Sequence, residues 1–188
     1  MKLDSIFAMS VFALFSMISC NSDSENSIET NFLGDYLQKT KFENKVTSIK
    51  DGTSAEAGLF FTPTANGKIT KLKVKIPDVN SALKITIWQG TTIVKTETVN
   101  VTKADTEQVF DIADISLTSG KEYAITMNSG DWYKRNITDE SNVTYPITSG
   151  FFKINAFKKT DSTTPTLPTT TIANAYYGDL SFDYLVVY

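Results

Sequence analysis

Apolar and polar residues alternate with a period of two along much of the chain, most plainly between residues 69 and 89. Leu72, Val74 and Ile76 alternate with Lys71, Lys73 and Lys75, and Leu83, Ile85 and Ile87 alternate with Lys84 and Thr86. That period predicts two β-strands, each with one face toward a core and one toward water. Pro77, Asp78, Asn80 and Ser81 supply the turn between them. Ile69 is out of phase with Leu72, which predicts a bulge between them.

The same grammar runs on downstream. Residues 46–49 and 57–61 read as strands, and Asn66-Gly67 is a hairpin signal. Gln89-Gly90-Thr91 is a second turn, feeding a strand over residues 93–101. There Ile93, Lys95, Glu97 and Val99 share one face, a mixture that predicts an edge strand guarded by charge. Tyr123, Ile125 and Met127 mark another strand. Phe152, Ile154 and Ala156 mark the next, and Phe182, Tyr184, Val186 and Tyr188 mark the last. Leu185 and Val187 on the other face of that last strand predict a central strand covered on both sides. Residues 158–171 are rich in Thr and Pro and read as an exposed loop. Eight to ten strands at this spacing predict an all-β fold, an antiparallel, jelly-roll-like β-sandwich.

Composition agrees and narrows the chemistry. The chain has 188 residues, of which 41 % are hydrophobic and 12 % aromatic, enough for a real core. Net charge is −3 with no basic block, so nucleic acid is not an expected partner. There is no histidine, which removes the commonest general base and zinc ligand. The single cysteine, Cys20, permits no intramolecular disulfide. Ser–His and Cys–His nucleophilic sites are thereby excluded, leaving carboxylate, tyrosine or lysine chemistry. No cofactor is implied.

The N-terminus carries a different message. Residues 6–18 form an apolar run too short to span a bilayer and of signal-peptide length. The run ends Met17-Ile18-Ser19-Cys20, which resembles the bacterial lipobox, with a small residue just before the cysteine to be lipidated. By that resemblance residues 1–19 are a lipoprotein signal peptide and Cys20 is the lipidation site. Each buried acyl CH₂ contributes about 0.8 kcal/mol, so several chains hold a soluble domain to a membrane durably. Residues 21–27 are polar and acidic and read as a flexible tether, similar to the surface-export signal of Bacteroidetes-type lipoproteins. Residues 30–36 read either as a short first strand or as a turn of helix docking on the domain. The expected division is signal peptide 1–19, lipidated cysteine and polar tether 20–40, and β-sandwich 41–188.

Gly58-Leu-Phe-Phe-Thr62, Gly67-Lys-Ile-Thr-Lys-Leu72, Ile85-Thr-Ile-Trp88, Val109-Phe110, Leu117-Thr-Ser-Gly-Lys-Glu-Tyr123 and Tyr184-Leu-Val-Val-Tyr188 occur in an order that resembles the bacterial family called domain of unknown function 4082. The resemblance covers residues 57–188 and implies an extracellular β-sandwich of the kind appended to carbohydrate-active proteins. The family's tryptophan near the C-terminal strand has no counterpart here, Tyr184 or Phe182 standing closest, and the family supplies no catalytic residues.

The candidate ligand-contact set is Asp131, Trp132, Tyr133 and Arg135, with Tyr177 on a second aromatic loop. Ring faces stack on the apolar face of a pyranose, and planar polar groups satisfy hydroxyls in pairs. The structural alternative is that Trp132 caps one end of the sandwich. Trp88 is either an exposed platform or a covered structural residue. Asp111, Asp114, Asp131, Asp139 and Glu140 are the carboxylates available to a hard cation, but their spacing matches no calcium loop, and no metal is expected. Asp161-Ser162-Thr163 resembles a short O-glycosylation sequence.

These observations lead to a non-catalytic, membrane-anchored surface module at the outer membrane facing outward, with carbohydrate as the expected ligand. The alternative is a structural or adhesive subunit that binds a surface protein through a sheet edge or face.

Overall fold

The computed structural model describes residues 27–29, 31–42, 45–137 and 141–188. The signal segment, Cys20, Asp139 and Glu140 lie outside the described residues. In chain order the elements begin with β1 (Ile28–Glu29), α1 (Phe32–Thr40), β2 (Lys45–Ile49), β3 (Ala55–Pro63) and β4 (Gly67–Val74). Then come β5 (Asn80–Gln89), β6 (Thr92–Val101), β7 (Gln108–Leu117), β8 (Tyr123–Ser129) and β9 (Trp132–Asn136). The chain closes with β10 (Ile147–Ser149), β11 (Phe152–Asp161), β12 (Thr170–Thr171), β13 (Ala175–Tyr177) and β14 (Leu180–Val186).

The larger sheet has the order β10-β11-β3-β8-β5-β6, with β12 against β11, and the smaller has β1-β14-β4-β7. A third, three-stranded layer, β13-β9-β2, covers one end. Pairing is antiparallel throughout. The connections β3–β4, β4–β5, β6–β7 and β7–β8 all pass between the two main sheets, the wrapping of a jelly-roll-like sandwich. Among the described strands, β5–β6 and β10–β11 are joined by two-residue hairpin turns, at Gly90-Thr91 and Gly150-Phe151. Asn66-Gly67 is therefore a corner between sheets and not a hairpin. A Cβ on Gly67 would lie 2.5 Å from the Tyr184 ring, so the close crossing of β4 and β14 requires glycine there.

The alternating apolar residues fill the space between the sheets. Leu72, Val74, Phe182, Tyr184 and Val186 from the smaller sheet face Phe61, Ile85, Ile87, Ile125 and Phe152 from the larger, all fully or almost fully buried. Rings meet across the gap: Phe61 and Phe152 lie 5.6 and 5.3 Å from Phe182, and Phe152 lies 4.9 Å from Tyr184. The register of β4 shifts between Ile69 and Lys71 against β7, and β14 shifts between Asp183 and Tyr184 against β4. These shifts keep both Ile69 and Leu72 inside. A further irregularity between Ile154 and Ala156 sends Phe157 inward and Ala156 to the outer face, correcting the expected grouping of Ala156 with Phe152 and Ile154.

The lysine stripe of β4 faces outward and is neutralised by its neighbours. Lys68, Lys71 and Lys73 pair with Asp114, Asp111 and Asp183 at 3.2, 3.2 and 2.6 Å. β6 is an edge strand, as its mixed faces predict, and Lys95 pairs with Glu97 along it at 3.5 Å. β14 is paired on both sides, yet Val187 stays 43 % exposed, because no layer covers the outer face of the smaller sheet at that end.

The boundary expected at Lys41 moves toward the N-terminus. Ile28 and Glu29 pair with Leu185 and Tyr184, and α1 buries Phe32, Leu33, Tyr36 and Leu37. These side chains fall one and four residues apart, a single helical stripe. Phe32 inserts between the main sheets, 5.3 Å from Phe152 and 4.4 Å from Phe182. Lys41 closes the helix in the left-handed region at φ 61°. Residues 27–40 thus belong to the packed body. No helix among the described residues is long and apolar enough to cross a membrane.

Phe32→Ala should lower unfolding stability by about 3–5 kcal/mol, the range for deleting a buried phenylalanine ring. A chain begun at Lys41 should lose its cooperative thermal transition, whereas one begun at Ser27 should keep it. Circular dichroism melts of the three chains test this.

Candidate functional site

The contact residues picked from the sequence all lie on or beside the three-stranded layer, but the structure turns most of them inward. Trp132 and Tyr133 are 2 % and 8 % exposed. The Trp132 indole N–H donates to Ser129 O at 3.0 Å, and its ring meets Tyr177 edge-on at 6.5 Å. The two aromatic loops do come together, as a buried wall and not as an open cleft. Tyr177 is half-buried and its ring is engaged: Phe157 stacks at 6.3 Å, and the Lys134 and Lys159 ammoniums lie 5.6 and 5.8 Å from its centroid. Trp132 and Tyr133 therefore present little ring face for a sugar to stack on. The positions cap one end of the core, where a wide apolar ring removes more surface from water than a loop of small residues could.

Asp131 accepts the Asp51 N–H at 2.8 Å and so fixes the β2–β3 turn, where Asp51 sits at φ 51°. The Tyr133 hydroxyl donates a short hydrogen bond to Asp105. Burial, reinforced by the Asp105 carboxylate, pushes the Tyr133 phenol up to about 12. Arg135 grips Asp179 with two parallel bonds, Nε to Oδ1 at 2.8 Å and Nη2 to Oδ2 at 2.7 Å, and the pair is only 15 % and 11 % exposed. Gly178, at φ 102°, makes the turn that presents Asp179 to it, and its N–H donates to Tyr133 O at 2.8 Å.

Of the five picked residues, Arg135 lines a cleft. This cleft, about 250 Å³, runs between α1 and the outer face of the smaller sheet. Leu33, Gly34 and Leu37 form one wall, and Lys73, Lys75, Arg135 and Asp179 the other, with Glu107 at the side. Lys75 donates its backbone N–H to Asp179 O at 3.0 Å and holds its ammonium 5.2 Å from the Tyr133 ring centroid. The cleft is below the about 300–1,000 Å³ of ordinary ligand pockets, so it fits one small ring at most. Its Asp179 is neutralised by Arg135, and the nearby Asp183 by Lys73. No group of three or more acidic or cysteine side chains able to hold a metal is found among the described residues.

A second polar site lies on the outer face of the larger sheet. Glu56 is fully buried there, within the apolar run of β3. The Trp88 indole N–H donates to Thr126 Oγ1 at 2.9 Å, and Thr126 Oγ1 in turn contacts Glu56 Oε1 through a short hydrogen bond. Glu56 Oε2 has no hydrogen-bond partner. Residues 162–168 fold over this face, with Leu167 against Phe60, Trp88, Ala124 and Ala156. Trp88 is thus a covered structural residue at 5 % exposed. The Thr/Pro segment is a strap, tied by Ser162 N–H to Ser54 O at 3.1 Å and Asn128 Nδ2 to Ser162 O at 3.1 Å. Burial raises the Glu56 carboxyl to about 7 against the opposing pull of Thr126 and Asn128. The signal for this site was a lone acid inside Ala55-Glu-Ala-Gly-Leu-Phe-Phe61.

No family model, no curated protein and no solved structure matches the chain.

Two outcomes follow. Arg135→Ala should cost about 3–5 kcal/mol by leaving Asp179 buried and uncompensated, and Arg135→Ala with Asp179→Ala should cost less than the sum of the singles. A double-mutant cycle in urea measures the coupling. Glu56 ionises near 4.5 when exposed and near 7 when folded. Its raised folded value means that its stabilisation is full below pH 4.5 and is lost as pH rises to 7, by about 3 kcal/mol in all. Glu56→Gln should remove that slope, read as the difference in unfolding midpoint between variant and parent across the window.

Proposed function

We propose that the chain is a bacterial surface lipoprotein, held through Cys20 to an outer membrane and facing outward, whose β-sandwich is a non-catalytic binding module for a small polyhydroxylated ligand such as a single sugar ring. The observation that carries the binding reading is the cleft beside α1. Its Arg135 and Asp179 groups are paired and held in place, so they offer fixed planar donors and acceptors to hydroxyls, while Leu33 and Leu37 offer apolar contact. The same pairing leaves no free, opposed pair of carboxylates for general acid–base hydrolysis within the cleft. Anchoring is supported by the apolar run of residues 6–18, by Ser19-Cys20 and by the polar residues that follow. Kinship with the domain of unknown function 4082 is part of the same proposal, supported by quoted motifs that fall on β3, β4, β5, β7 and β14.

A second reading, a subunit that docks on protein, is favoured by the exposed Ile93 and Val94 on the edge strand β6. The charges of Lys95 and Glu97 on that strand oppose edge-to-edge pairing, which places this reading second.

A glycan array probed with the chain from residue 21 onward separates the two. Binding to mono- or oligosaccharides should fall at least about tenfold, or about 1.4 kcal/mol, in Lys75→Ala. Among the described residues no carboxylate pairs with Lys75, and its contact with the Tyr133 ring is worth about 0.5–1 kcal/mol, so that variant should stay folded with a melting temperature only slightly below the parent's. A blank array from the folded chain would shift the assignment to the protein-docking reading.

A further inference from the structure

Three exposed apolar side chains, Ile28, Val187 and Tyr188, stand where the chain departs toward Cys20, and we infer that they form a seat on the lipid surface. The inference rests on the reading of Cys20 as the anchor and adds to it which face of the domain meets the membrane.

The exit point is well defined. Val186 N–H donates to Ser27 O at 2.9 Å, and the Ser27 and Tyr188 hydroxyls lie 3.0 Å apart, so the chain leaves the fold beside its own last residues. Turns from both sheets gather at this end. Val187 N–H donates to Asn66 O at 2.9 Å, Gly120 N–H to Pro63 O at 2.9 Å, and Gly90 N–H to Glu122 O at 3.2 Å.

The reach of the link then constrains orientation. Residues 20–26, fully extended, span at most about 25 Å. The ten-residue strands β5 and β6 are about 34 Å long at an antiparallel rise of about 3.4 Å per residue. The link is shorter than the body it holds, so the end bearing Ser27 cannot lie more than about 25 Å from the bilayer.

The surface at this end fits that neighbour. Ile28, Val187 and Tyr188 are 60 %, 43 % and 73 % exposed. Ile28 stands opposite Leu185, which shares the outer face of β14 with Val187, so the apolar side chains adjoin. Ile93 and Val94 follow the turn at Gly90 at the same end but stand on the edge strand of the other sheet, away from this group. Scattered single exposures are ordinary; a concentration beside an anchor point is not. Tyrosine suits the boundary because its ring enters the acyl region while its hydroxyl stays at headgroup level. The α1 cleft, with Arg135 and Asp179, lies at the opposite end of the smaller sheet, beyond Val74 and Leu180, and would open away from the membrane.

The test uses the chain from Cys20 onward, whose sole thiol couples to maleimide lipid in vesicles of phosphatidylethanolamine and phosphatidylglycerol. Tyr188→Trp, with Ile28→Trp as a second probe, reports contact with brominated lipid. Val79→Trp, 56 % exposed in the loop after β4, reports the far end. Emission of the added tryptophan at 188 and 28 should drop by about half on lipid bromination, and that at 79 should not change. No drop at either of the first two, or an equal drop at 79, overturns the seat. So does a change that follows protein density and not bromination, since a second copy would then be covering the patch. The anchor itself is tested separately by the intact mass of the exported chain. An unacylated Cys20 sinks the anchor reading, whereas the vesicle experiment reports on the seat either way.

Discussion

The sandwich depends on one contact: aromatic rings from two sheets meeting across the core. Phe182 from β14 sits among Phe61, Phe152 and Phe32, and Tyr184 closes on Phe152. Each such pair adds roughly 0.5–1.5 kcal/mol beyond the burial of its area. Interiors packed to crystal density leave little room for adjustment, so these rings also set sheet spacing. The bulges in β4, β11 and β14 follow from that demand. The extra residues, Thr70 in β4 and Asn155 in β11, let side chains three positions apart, Ile69 with Leu72 and Ile154 with Phe157, share the inner face when strict alternation would expose one of each pair.

Polar groups are handled by pairing almost everywhere. The lysine stripe of β4 is matched by acids on the strands to either side, and Arg135 is matched to Asp179. Glu56 departs from that rule. Its carboxyl is buried with hydroxyl and amide partners, and one oxygen has none. Burial without a neutralising cation disfavours the charged form, which is why this acid holds its proton to higher pH than an exposed glutamate.

The fold class was legible because period-two alternation is a property of single strands, and Leu72, Val74 and Ile76 show it without help from neighbours. The edge position of β6 was legible from Lys95 and Glu97, since charges on an otherwise inward face need solvent nearby. Partnership between strands was less visible. Asn66-Gly67 suits a hairpin and a sheet-to-sheet corner equally, and the outcome was decided by where Tyr184 needed room. α1 was hard to assign because two and a half turns carry too few residues to separate a helical stripe from a strand. The burial of Trp132 and Tyr133 was hard to read for a related reason. Trp132 and Tyr133 are apolar enough to serve a surface or a core, and only the approach of the residues 176–179 loop resolves which. Arg135 reached the cleft because Gly178 turns Asp179 toward it, a distant geometry that local sequence does not encode.

Pairing of β1 with β14 and insertion of Phe32 beside Phe182 join the first packed residues to the last strand. Tyr36 meets Phe42 nearby, but the other ring partners of Phe32 and Tyr36, namely Phe152, Phe182 and Tyr176, come from much later elements. Closure of a long loop must precede those contacts, which slows folding. The contact order of this part of the core is correspondingly high, since Phe32 and Phe182 meet from opposite ends of the packed body.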